Sequence, residues 1–290
     1  MTHSITFYKM HACGNDFVMV YNHNRTSLNI NKKYLRSLAN RRTGIGFDQF
    51  IIINYSTDAN INMYIYNADG SEAEACGNAT RCVAKWLFNK FTDRSQFTIK
   101  TAAGILVAKK VEQNIFEINM GCPGMHWQQI PLKGAMNTNY LPIANCQPLP
   151  INVSGLGQPA AVSIGNPHFI FFVKSLDSLP IRQLGPHLEH HEFFPNRTNV
   201  DFAHIISSKR VRLMVWERGT GITLGCGSGA CATVVAAFRR GLVDNRVIVE
   251  QEGGEIAITY DHKCNNVFMT GDAHLAFEGI LPQEAFLEAV

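Results

Sequence analysis

The stretch Glu217-Arg-Gly-Thr-Gly-Ile-Thr-Leu-Gly-Cys226-Gly-Ser-Gly-Ala-Cys231-Ala runs from a charged, glycine-spaced loop through a cysteine into an apolar segment. That segment, Ala230 to Phe238, contains neither Gly nor Pro and predicts a helix. A thiol where a helix begins lies in the field of the helix dipole and beside free backbone N–H groups, which favours the thiolate. The flanking glycines let the backbone approach a carboxylate or phosphate closely. The stretch therefore predicts an activated cysteine in an anion-binding loop.

A second cysteine stands in a similar context in the first half of the chain. The matched landmarks are Cys76-Gly-Asn-Ala with Cys226-Gly-Ser-Gly, Gly14-Asn15 with Gly165-Asn166, and Asp48 with Asp201, at offsets of 150, 151 and 153 residues. In each half the order is a Gly-Asn turn, a helix, a strand, a Cys-Gly loop, a second helix and several short strands. Three landmarks in near register indicate a duplicated domain, with one cysteine of this kind in each half.

Length and composition agree with two domains of ordinary size. The chain has 290 residues, of which 46% are hydrophobic and 17% charged, with a net charge of +3. No block of Lys and Arg or basic-aromatic stripe occurs, so nucleic acid is not an expected partner. Met1–Met10 lacks the apolar core of a signal peptide, and no run approaches the roughly 18 apolar residues of a membrane span. We therefore expect a cytoplasmic protein with no membrane partner.

The cysteine pattern predicts reduced thiols. The eight cysteines are Cys13, Cys76, Cys82, Cys122, Cys146, Cys226, Cys231 and Cys264. Without a signal peptide, a chain of this length is expected to carry few disulfides, and no CxxC pair marks a zinc site. Cys82, Cys231 and Cys264 lie in apolar patterns and are expected to be buried packing residues.

The helices predicted from capping and apolar periodicity run from Asn31 to about Arg41, from Cys76 to about Phe91, from Pro180 to His191, and from Pro282 onward. Short β-type runs separate them. We predict an α/β (α+β) fold of two similar domains with a cleft between them.

Two thiols that meet one ligand suit a specific reaction. One can remove a proton from one face of a carbon while the other returns a proton to the opposite face, which inverts a stereocentre. Because a free cysteine has a pKa of roughly 8.5, modest perturbation lets one thiol ionise while its counterpart stays protonated. The two helix N-termini would hold the carboxylate beside that carbon and stabilise the charge that spreads onto it.

Two signatures carry a resemblance to a known family. They are Asn67-Ala-Asp-Gly-Ser-Glu with Cys76-Gly-Asn and Arg81-Cys82, and Glu217-Arg-Gly with Cys226-Gly-Ser-Gly-Ala-Cys231. Four shorter motifs complete the set: Gly14-Asn-Asp-Phe17, Gly46-Phe-Asp-Gln49, Gly165-Asn-Pro-His168 and Thr198-Asn-Val200. With these motifs the chain resembles the diaminopimelate epimerases over essentially its whole length.

The resemblance implies two pseudosymmetric domains, each a curved, mostly antiparallel sheet or barrel around a central helix, with the active site in the cleft between them. The expected bounds are 1–125 plus 276–290 for the first domain and 126–275 for the second. The implied activity interconverts LL- and meso-2,6-diaminopimelate, for lysine and peptidoglycan biosynthesis, without pyridoxal phosphate, metal or other cofactor. It also implies a homodimer, with Phe277 near the family's dimer-contact aromatic position.

The resemblance also implies a role for each motif residue. Cys76 and Cys226 would be the acid–base pair, with His168 and Glu217 beside them to help set their protonation. The groups implied to hold the reacting carboxylate and amine are the backbone N–H groups of Gly77, Asn78, Gly227 and Ser228. The residues implied to hold the rest of the substrate are Asn15, Gln49, Asn67, Asn166, Asn199 and Arg218. A distant amino-acid head group carries both signs of charge, which suits amides and one arginine.

Four positions depart from the family pattern and bear on substrate choice: Cys13, Ala79, Ile222 and Gly225. A related racemase with another amino-acid substrate is therefore the alternative reading. A cysteine hydrolase with Cys226 as nucleophile and His168 as base would leave Cys76 without a role. A non-catalytic amino-acid-binding module is a further alternative. The glycine spacings disfavour nucleotide binding, and the cluster His187, His190 and His191 is a poor candidate for a metal site.

Overall fold

The computed structural model describes residues 5–22, 31–143 and 156–281. In the first half of the chain the strands are β1 (Ile5–Ala12), β2 (Asn15–Asn22), β3 (Gln49–Tyr55), β4 (Ile61–Asn67), β5 (Glu72–Ala73), β6 (Gln96–Thr101), β7 (Gly104–Glu112) and β8 (Ile115–Asn119). In the second half they are β9 (Ala160–Ser163), β10 (Pro167–Phe172), β11 (Asn199–Ser207), β12 (Arg210–Glu217), β13 (Gly221–Thr223), β14 (Arg246–Gln251), β15 (Gly254–Asp261), β16 (Asn266–Asp272) and β17 (His274–Leu281). The helices are α1 (Lys32–Ala39), α2 (Gly77–Lys90), α3 (Ile181–Glu189) and α4 (Gly227–Arg239).

The described residues divide into two compact units. Unit 1 is drawn from Met1–Ile118 and Gly271–Val290, and unit 2 from Asn119–Thr270. Strand β17 belongs to unit 1, where it pairs antiparallel with β1 from Ile5↔Leu281 to His11↔His274. The chain therefore leaves unit 1 after its first 118 residues and returns to it for its last described strand.

Each unit repeats the same set of strand pairings. In unit 1, β1–β2, β3–β4, β4–β5 and β6–β7 are antiparallel, and β2–β3 and β4–β6 are parallel. In unit 2, β9–β10, β11–β12, β12–β13 and β14–β15 are antiparallel, and β10–β11 and β12–β14 are parallel. This mixed, mostly antiparallel α/β architecture confirms the predicted fold class.

From β3 and β11 onward the register of the repeat is 150 residues, whereas β2 and β10 match at 151. In unit 1, Ile65 pairs with Ala73 and Ile99 with Leu106; the equivalent pairs in unit 2 are Val215 with Thr223 and Val249 with Ile256. In the same register Asn199 is the counterpart of Gln49, and Asp201 is the counterpart of Ile51. The predicted match of Asp48 with Asp201 is therefore wrong by three residues, because a local similarity of letters does not define the pleat of a strand.

The helices α2 and α4 form the interior of their units. Most residues of both helices are buried. The α2 helix contacts β1, β2, β6, β7 and β17, and α4 contacts β9, β10, β11 and β15. Each sheet therefore covers its helix with apolar side chains, and such burial stabilises a fold by about 25 cal/mol per Å² of apolar surface. This arrangement agrees with the expected sheet around a central helix.

Some local predictions need correction. The α4 helix begins at Gly227, three residues before the predicted Ala230, so that Cys226 directly precedes it. The two-residue strand β5 and the three-residue strand β13 were not predicted, because they are too short to show an alternating pattern. Cys82 and Cys231 are buried as predicted, but Cys264 is exposed in the turn after β15. The helix predicted from Pro282, and Cys146, lie outside the described residues.

None of the helices in the described ranges combines the length and the apolar composition that a bilayer crossing requires.

Candidate active site

Cys76 and Cys226 occupy the same position in their units, the N-cap of a buried helix. Both have extended backbone conformations, with φ −148° and ψ 108° at Cys76 and φ −121° and ψ 111° at Cys226. Each sulfur accepts a hydrogen bond from the N–H three residues later, Ala79 N at 3.5 Å and Gly229 N at 3.4 Å. The sulfur thus takes the role that a serine or aspartate oxygen usually plays at a helix start.

The first N–H groups of both helices lie outside the helical hydrogen-bond pattern. Helical bonding begins with Thr80 N to Cys76 O and Ala230 N to Cys226 O, both at 3.0 Å. The N–H groups of Gly77–Asn78 and Gly227–Ser228 precede these bonds. They are at the end of the helix that carries positive partial charge, where carboxylates bind well.

In unit 2, a polar network surrounds Cys226. Its Sγ lies 3.5 Å from Ser228 Oγ, and its backbone N–H donates to Gln251 Oε1 at 2.7 Å. His168 Nε2 lies 3.1 Å from the same Ser228 Oγ and 3.2 Å from Asn166 Oδ1. The His168 imidazole therefore reaches the thiol through the Ser228 hydroxyl.

Asp201 holds the other side of the His168 ring. His168 Nδ1 forms a hydrogen bond with Asp201 Oδ1 at 3.2 Å and lies 2.9 Å from Oδ2, and both side chains are fully buried. Because an ionised carboxylate can only accept, it keeps the proton on Nδ1 and fixes the orientation of the imidazole. Sequence reasoning missed Asp201 as a site residue. The available signal was a charged residue between Val200 and Phe202 in an otherwise apolar strand.

The surroundings of Cys226 favour the neutral thiol. Burial raises the pKa of Cys226 well above its ordinary value, and the negative charges of Glu217 and Asp201 raise it further. Hydrogen bonds from Ser228 and the Gly229 N–H lower this pKa but are outweighed. The helix start favours the thiolate, as the sequence predicts, but burial and the two carboxyl groups outweigh it at Cys226. At neutral pH its sulfur is placed to give a proton.

Glu217 stands at the end of β12 and contributes a second carboxyl group to this network. Burial raises the pKa of the Glu217 carboxyl, against the opposing effects of a hydrogen bond from Thr223 and the nearby His168. Thr223 Oγ1 donates to Glu217 Oε1 at 2.5 Å. The predicted neighbours of Cys226, namely His168, Glu217, Asn166 and Ser228, are thus brought together in unit 2.

The surroundings of Cys76 in unit 1 include a buried arginine. Cys76 is partly exposed. Arg81, one turn along α2, is fully buried, and burial lowers the pKa of its guanidinium, whereas the nearby Asp272 carboxylate raises it. At a spacing of 150 residues, Asn67 and Ile51 stand where unit 2 has Glu217 and Asp201. The two carboxylates beside Cys226 therefore have no equivalents at these positions in unit 1.

A continuous chain of hydrogen bonds links Arg81 to two of the predicted substrate-binding amides. Arg81 Nη2 donates to Asn78 Oδ1 at 3.0 Å, and Asn78 Nδ2 donates to Asn15 Oδ1 at 2.6 Å. Asn15 Nδ2 then donates to Asp48 Oδ2 at 3.2 Å. Arg81 can only donate and ionised Asp48 can only accept. The two ends of this series of hydrogen bonds therefore fix the orientation of the Asn78 and Asn15 side-chain amides.

The remaining predicted residues lie at the ends of paired strands. In unit 1, Gln49 Nε2 donates to Asn67 Oδ1 at 3.0 Å. Among the described residues, the buried Gln49 Oε1 has no hydrogen-bond partner. In unit 2, Asn199 Oδ1 accepts the backbone N–H of Arg218 at 3.0 Å. A buried acceptor without a partner fits a site that receives a donor from a ligand.

No three side chains of His, Cys, Asp or Glu in the described ranges are grouped so that they could hold a metal ion. Two of the clustered histidines have structural contacts instead. His190 Nδ1 bonds the carbonyl of Pro186 at 2.9 Å, and His191 packs against Phe169 and Phe193.

Comparisons with known proteins agree with this geometry. The model of the family described as diaminopimelate epimerase matches residues 7–125 and 160–276. A diaminopimelate epimerase of Acidiphilium cryptum is 44% identical over 275 residues, covering 95% of both chains. One from Phenylobacterium zucineum is 40% identical over 276 residues, covering 95% of this chain and 97% of the relative.

Solved structures share the fold at low sequence identity. A PhzF-family phenazine biosynthesis protein of Bacillus anthracis has a TM-score of 0.65 at 18% identity, covering 96% of this chain and 99% of its own. A hydroxyproline epimerase from Agrobacterium vitis has a TM-score of 0.64 at 14% identity, covering 98% and 92%.

Proposed function

The chain belongs to the diaminopimelate epimerase family and is an isomerase, and from this premise we propose that it interconverts LL- and meso-2,6-diaminopimelate with Cys76 and Cys226 as acid and base. The observation that carries the proposal is the shared position of the two thiols, each the N-cap of the buried helix of a repeated unit. The proposed reaction uses no pyridoxal phosphate and serves lysine and peptidoglycan biosynthesis.

The differing surroundings of the two thiols support a division of roles. Burial, reinforced by the carboxyl groups of Glu217 and Asp201, raises the pKa of Cys226 and keeps it in its thiol form, so it serves as the proton donor. Cys76, with buried Arg81 nearby on α2, serves as the base. Cys76 takes the α-proton, Cys226 gives a proton to the opposite face of the same carbon, and the reverse reaction exchanges the roles.

His168, Ser228 and Asp201 form the supporting group at Cys226. After Cys226 has given its proton, the Ser228 hydroxyl can donate to the resulting thiolate, since its oxygen lies 3.5 Å from Sγ. His168 contacts that hydroxyl from the other side. The His168–Asp201 pair thereby holds the hydroxyl oxygen in position.

Substrate binding is assigned to helix starts and to amides. The N–H groups of Gly77, Asn78, Gly227 and Ser228 hold the reacting carboxylate and stabilise the charge that develops on it. The distal amino-acid group is assigned to Asn15, Gln49, Asn67, Asn166, Asn199 and Arg218. The unpartnered Gln49 Oε1 suits an ammonium donor, and the Arg218 guanidinium suits a carboxylate.

Incubation with LL-diaminopimelate in deuterium oxide tests the function. We expect deuterium at one α-carbon and formation of the meso isomer. Cys76→Ala and Cys226→Ala should each reduce epimerisation by at least about a hundredfold, because each removes an essential proton carrier. Wild-type protein that produces neither exchange nor meso product contradicts the activity, and full turnover by either variant contradicts the two-base mechanism.

A related racemase remains the alternative, because Cys13, Ala79, Ile222 and Gly225 depart from the family pattern. The same exchange assay with proline, 4-hydroxyproline and other amino acids distinguishes the two functions. Turnover of one of these in preference to diaminopimelate would favour the racemase.

We also propose a homodimer that works in the cytoplasm. Phe277, Leu275 and Ile280 on β17 are exposed apolar residues, and Phe277 packs edge-on against Phe7 with ring centroids 6.0 Å apart. Sedimentation at several protein concentrations tests the dimer, and cell fractionation tests the compartment.

A further inference from the structure

The loop after β12 contains a tight turn that carries Arg218. Thr220 N donates to Glu217 O at 3.0 Å, so Arg218 and Gly219 are the central residues of the turn. Gly219 has φ +76°, a left-handed conformation that residues with a Cβ rarely adopt. The direction in which the Arg218 side chain leaves the backbone therefore depends on the orientation of this turn.

Side chains from two other elements accept both central N–H groups of the turn. The Arg218 N–H donates to Asn199 Oδ1 at 3.0 Å, and the Gly219 N–H donates to Glu189 Oε1 at 3.0 Å. Asn199 is held in turn, because its Nδ2 donates to Pro167 O at 2.9 Å. The turn is thus fixed at two successive peptide groups.

Glu189, the last residue of α3, is only 4% exposed. Its Oε2 accepts Trp216 Nε1 at 2.8 Å, and its Oε1 accepts Arg197 Nη1 at 3.3 Å in addition to the Gly219 N–H. Both carboxylate oxygens therefore receive N–H donors, which an ionised carboxylate satisfies and an amide cannot. The backbone carbonyl of Glu189 also accepts Thr198 N at 3.1 Å, directly before Asn199.

The Trp216 ring that Glu189 holds packs closely on both α3 and the turn. A Cβ at Gly185 of α3 would lie 2.2 Å from the indole ring, so the ring rests directly on the helix backbone. A Cβ at Gly221, where β13 begins, would lie 3.6 Å from the same ring. The end of α3, the indole and the turn thus form one packed group with the Glu189 carboxylate among them.

The equivalent turn in unit 1 is held differently. Gly70 N donates to Asn67 O at 2.9 Å, and Asp69 Oδ1 accepts the Ser71 N–H at 2.8 Å and its hydroxyl at 2.6 Å. These bonds are local and exposed, and the turn also accepts an exposed long-range bond from Arg36 Nε to Asp69 O at 2.8 Å. At the Arg218 turn the long-range partner is instead the buried Glu189 carboxylate, which indicates a constraint on the position of the turn beyond its local shape.

We propose that Glu189 is a positioning residue for substrate binding, which holds the Arg218 turn so that the guanidinium is preorganised for the distal carboxylate of the substrate. The inference rests on the proposed function of Arg218. Glu189 acts through the turn and takes no part in proton transfer. Its loss is therefore expected to weaken substrate binding more than the chemical step.

Glu189→Gln is the informative substitution, because it keeps the size of the side chain and removes one acceptor. The amide NH₂ would face an N–H donor from Trp216 or from Gly219, so the turn loses a bond or shifts. We expect KM for LL-diaminopimelate to rise about tenfold, equivalent to one lost charged hydrogen bond, and kcat to stay within about twofold. Glu189→Asp keeps the charge and should show a smaller rise in KM.

Glu192→Gln is the matched control. Glu192 lies three residues further along and forms an exposed ion pair with Lys133, with a half-exposed carboxylate. The same change of charge should leave KM and kcat at the wild-type values. If KM rises equally in Glu192→Gln, the rise in Glu189→Gln is an effect of net charge and the proposal is overturned.

A double-mutant cycle tests whether Glu189 acts through Arg218. Arg218→Ala should raise KM by itself, and adding Glu189→Gln to it should change KM by less than about twofold. If the tenfold effect of Glu189→Gln persists in the Arg218→Ala background, Glu189 does not act through Arg218, and the proposal fails.

Amide hydrogen exchange provides a readout that does not depend on activity. In Glu189→Gln the Arg218 and Gly219 amides should exchange at least about tenfold faster than in Glu192→Gln. Unchanged exchange at these two amides overturns the positioning role even if the protein proves inactive. Absence of epimerase activity in the wild type, by contrast, would contradict the proposed function alone. If Glu189→Gln does not fold, Glu189→Asp provides the same comparison.

Discussion

Opposing effects act on the pKa of the Cys226 thiol. The helix start favours its thiolate by about 0.3–1 kcal/mol, up to about 2 kcal/mol in partly buried sites. Burial and two nearby carboxyl groups act in the other direction and raise the pKa of Cys226 well above its ordinary value. Because desolvation of a charged group outweighs one helix dipole, the thiol keeps its proton near neutral pH.

Alkylation kinetics measure this balance directly. With iodoacetamide at pH 7.5, Cys226 should react at least about tenfold more slowly than the exposed Cys122 and Cys264. Since the thiolate is the reactive form and the pKa of Cys226 is raised, its rate should still be climbing as the pH passes 9. Peptide mass spectrometry follows each site.

Glu217→Gln separates charge from access in this experiment, because the amide has nearly the same size as the carboxyl. It removes a negative charge that raises the pKa of Cys226, so alkylation of Cys226 should become faster at a fixed pH. An unchanged rate would show that limited access alone protects the thiol.

The N-cap residues of α2 and α4 affect both helix stability and the proposed reaction, because they are also the proposed proton carriers. A cysteine sulfur accepts the N–H of Ala79 or Gly229 at 3.4–3.5 Å. Such a contact is weaker than that of an oxygen cap, which contributes about 1 kcal/mol relative to alanine. A serine would therefore cap each helix better than the cysteine does. The presence of cysteine at both caps is consistent with a need for the reactivity of the thiol.

A matched pair of variants at Cys76 tests this reading. Cys76→Ser keeps a capping atom and should unfold at or above the wild-type denaturant midpoint, whereas Cys76→Ala should lose about 0.5–1 kcal/mol. Both should be inactive, because a serine hydroxyl does not ionise near neutral pH. A Cys76→Ala variant as stable as the wild type would show that the sulfur contributes nothing as a cap.

At the scale of the molecule, the repeat supplies two similar frameworks with different charges. From β3 onward the pairings recur at a spacing of 150 residues, yet Ile51 and Asn67 stand in one unit where Asp201 and Glu217 stand in the other. Arg81 is fully buried in unit 1, and its counterpart at this spacing is the buried Cys231. Different surroundings predispose the two thiols to different protonation states, which suits an acid–base pair.

Oxidation tests whether the two thiols meet at one carbon. Mild oxidation should join Cys76 to Cys226 and abolish epimerisation, and a thiol reductant should restore it. Cys122 and Cys264 both contact Asn266 and are exposed, so a Cys122→Ser, Cys264→Ser background excludes their disulfide as the cause. Full activity with a mapped Cys76–Cys226 disulfide, or oxidation that never yields this linkage, would contradict the two-base proposal.

Local sequence patterns were sufficient to predict the α/β class, the repeat, most of the order of helices and strands, and the family. These properties depend on periodicity and on motifs of neighbouring residues. The predicted position of Cys76 and of Cys226 at the start of a helix is confirmed. The site residues carried over by motif, including His168 and Glu217, were also available from these local patterns, although their roles remain predictions.

The tertiary structure alone decided which distant groups surround each thiol. It placed Asp201 on His168, Arg81 in the interior beside Asn78, and Glu189 on the Arg218 turn. It also showed Cys264 to be exposed and the third landmark to be out of register. The reason is physical: burial and charge arise from contacts between residues far apart in the chain, whereas a motif records only its neighbours along the chain.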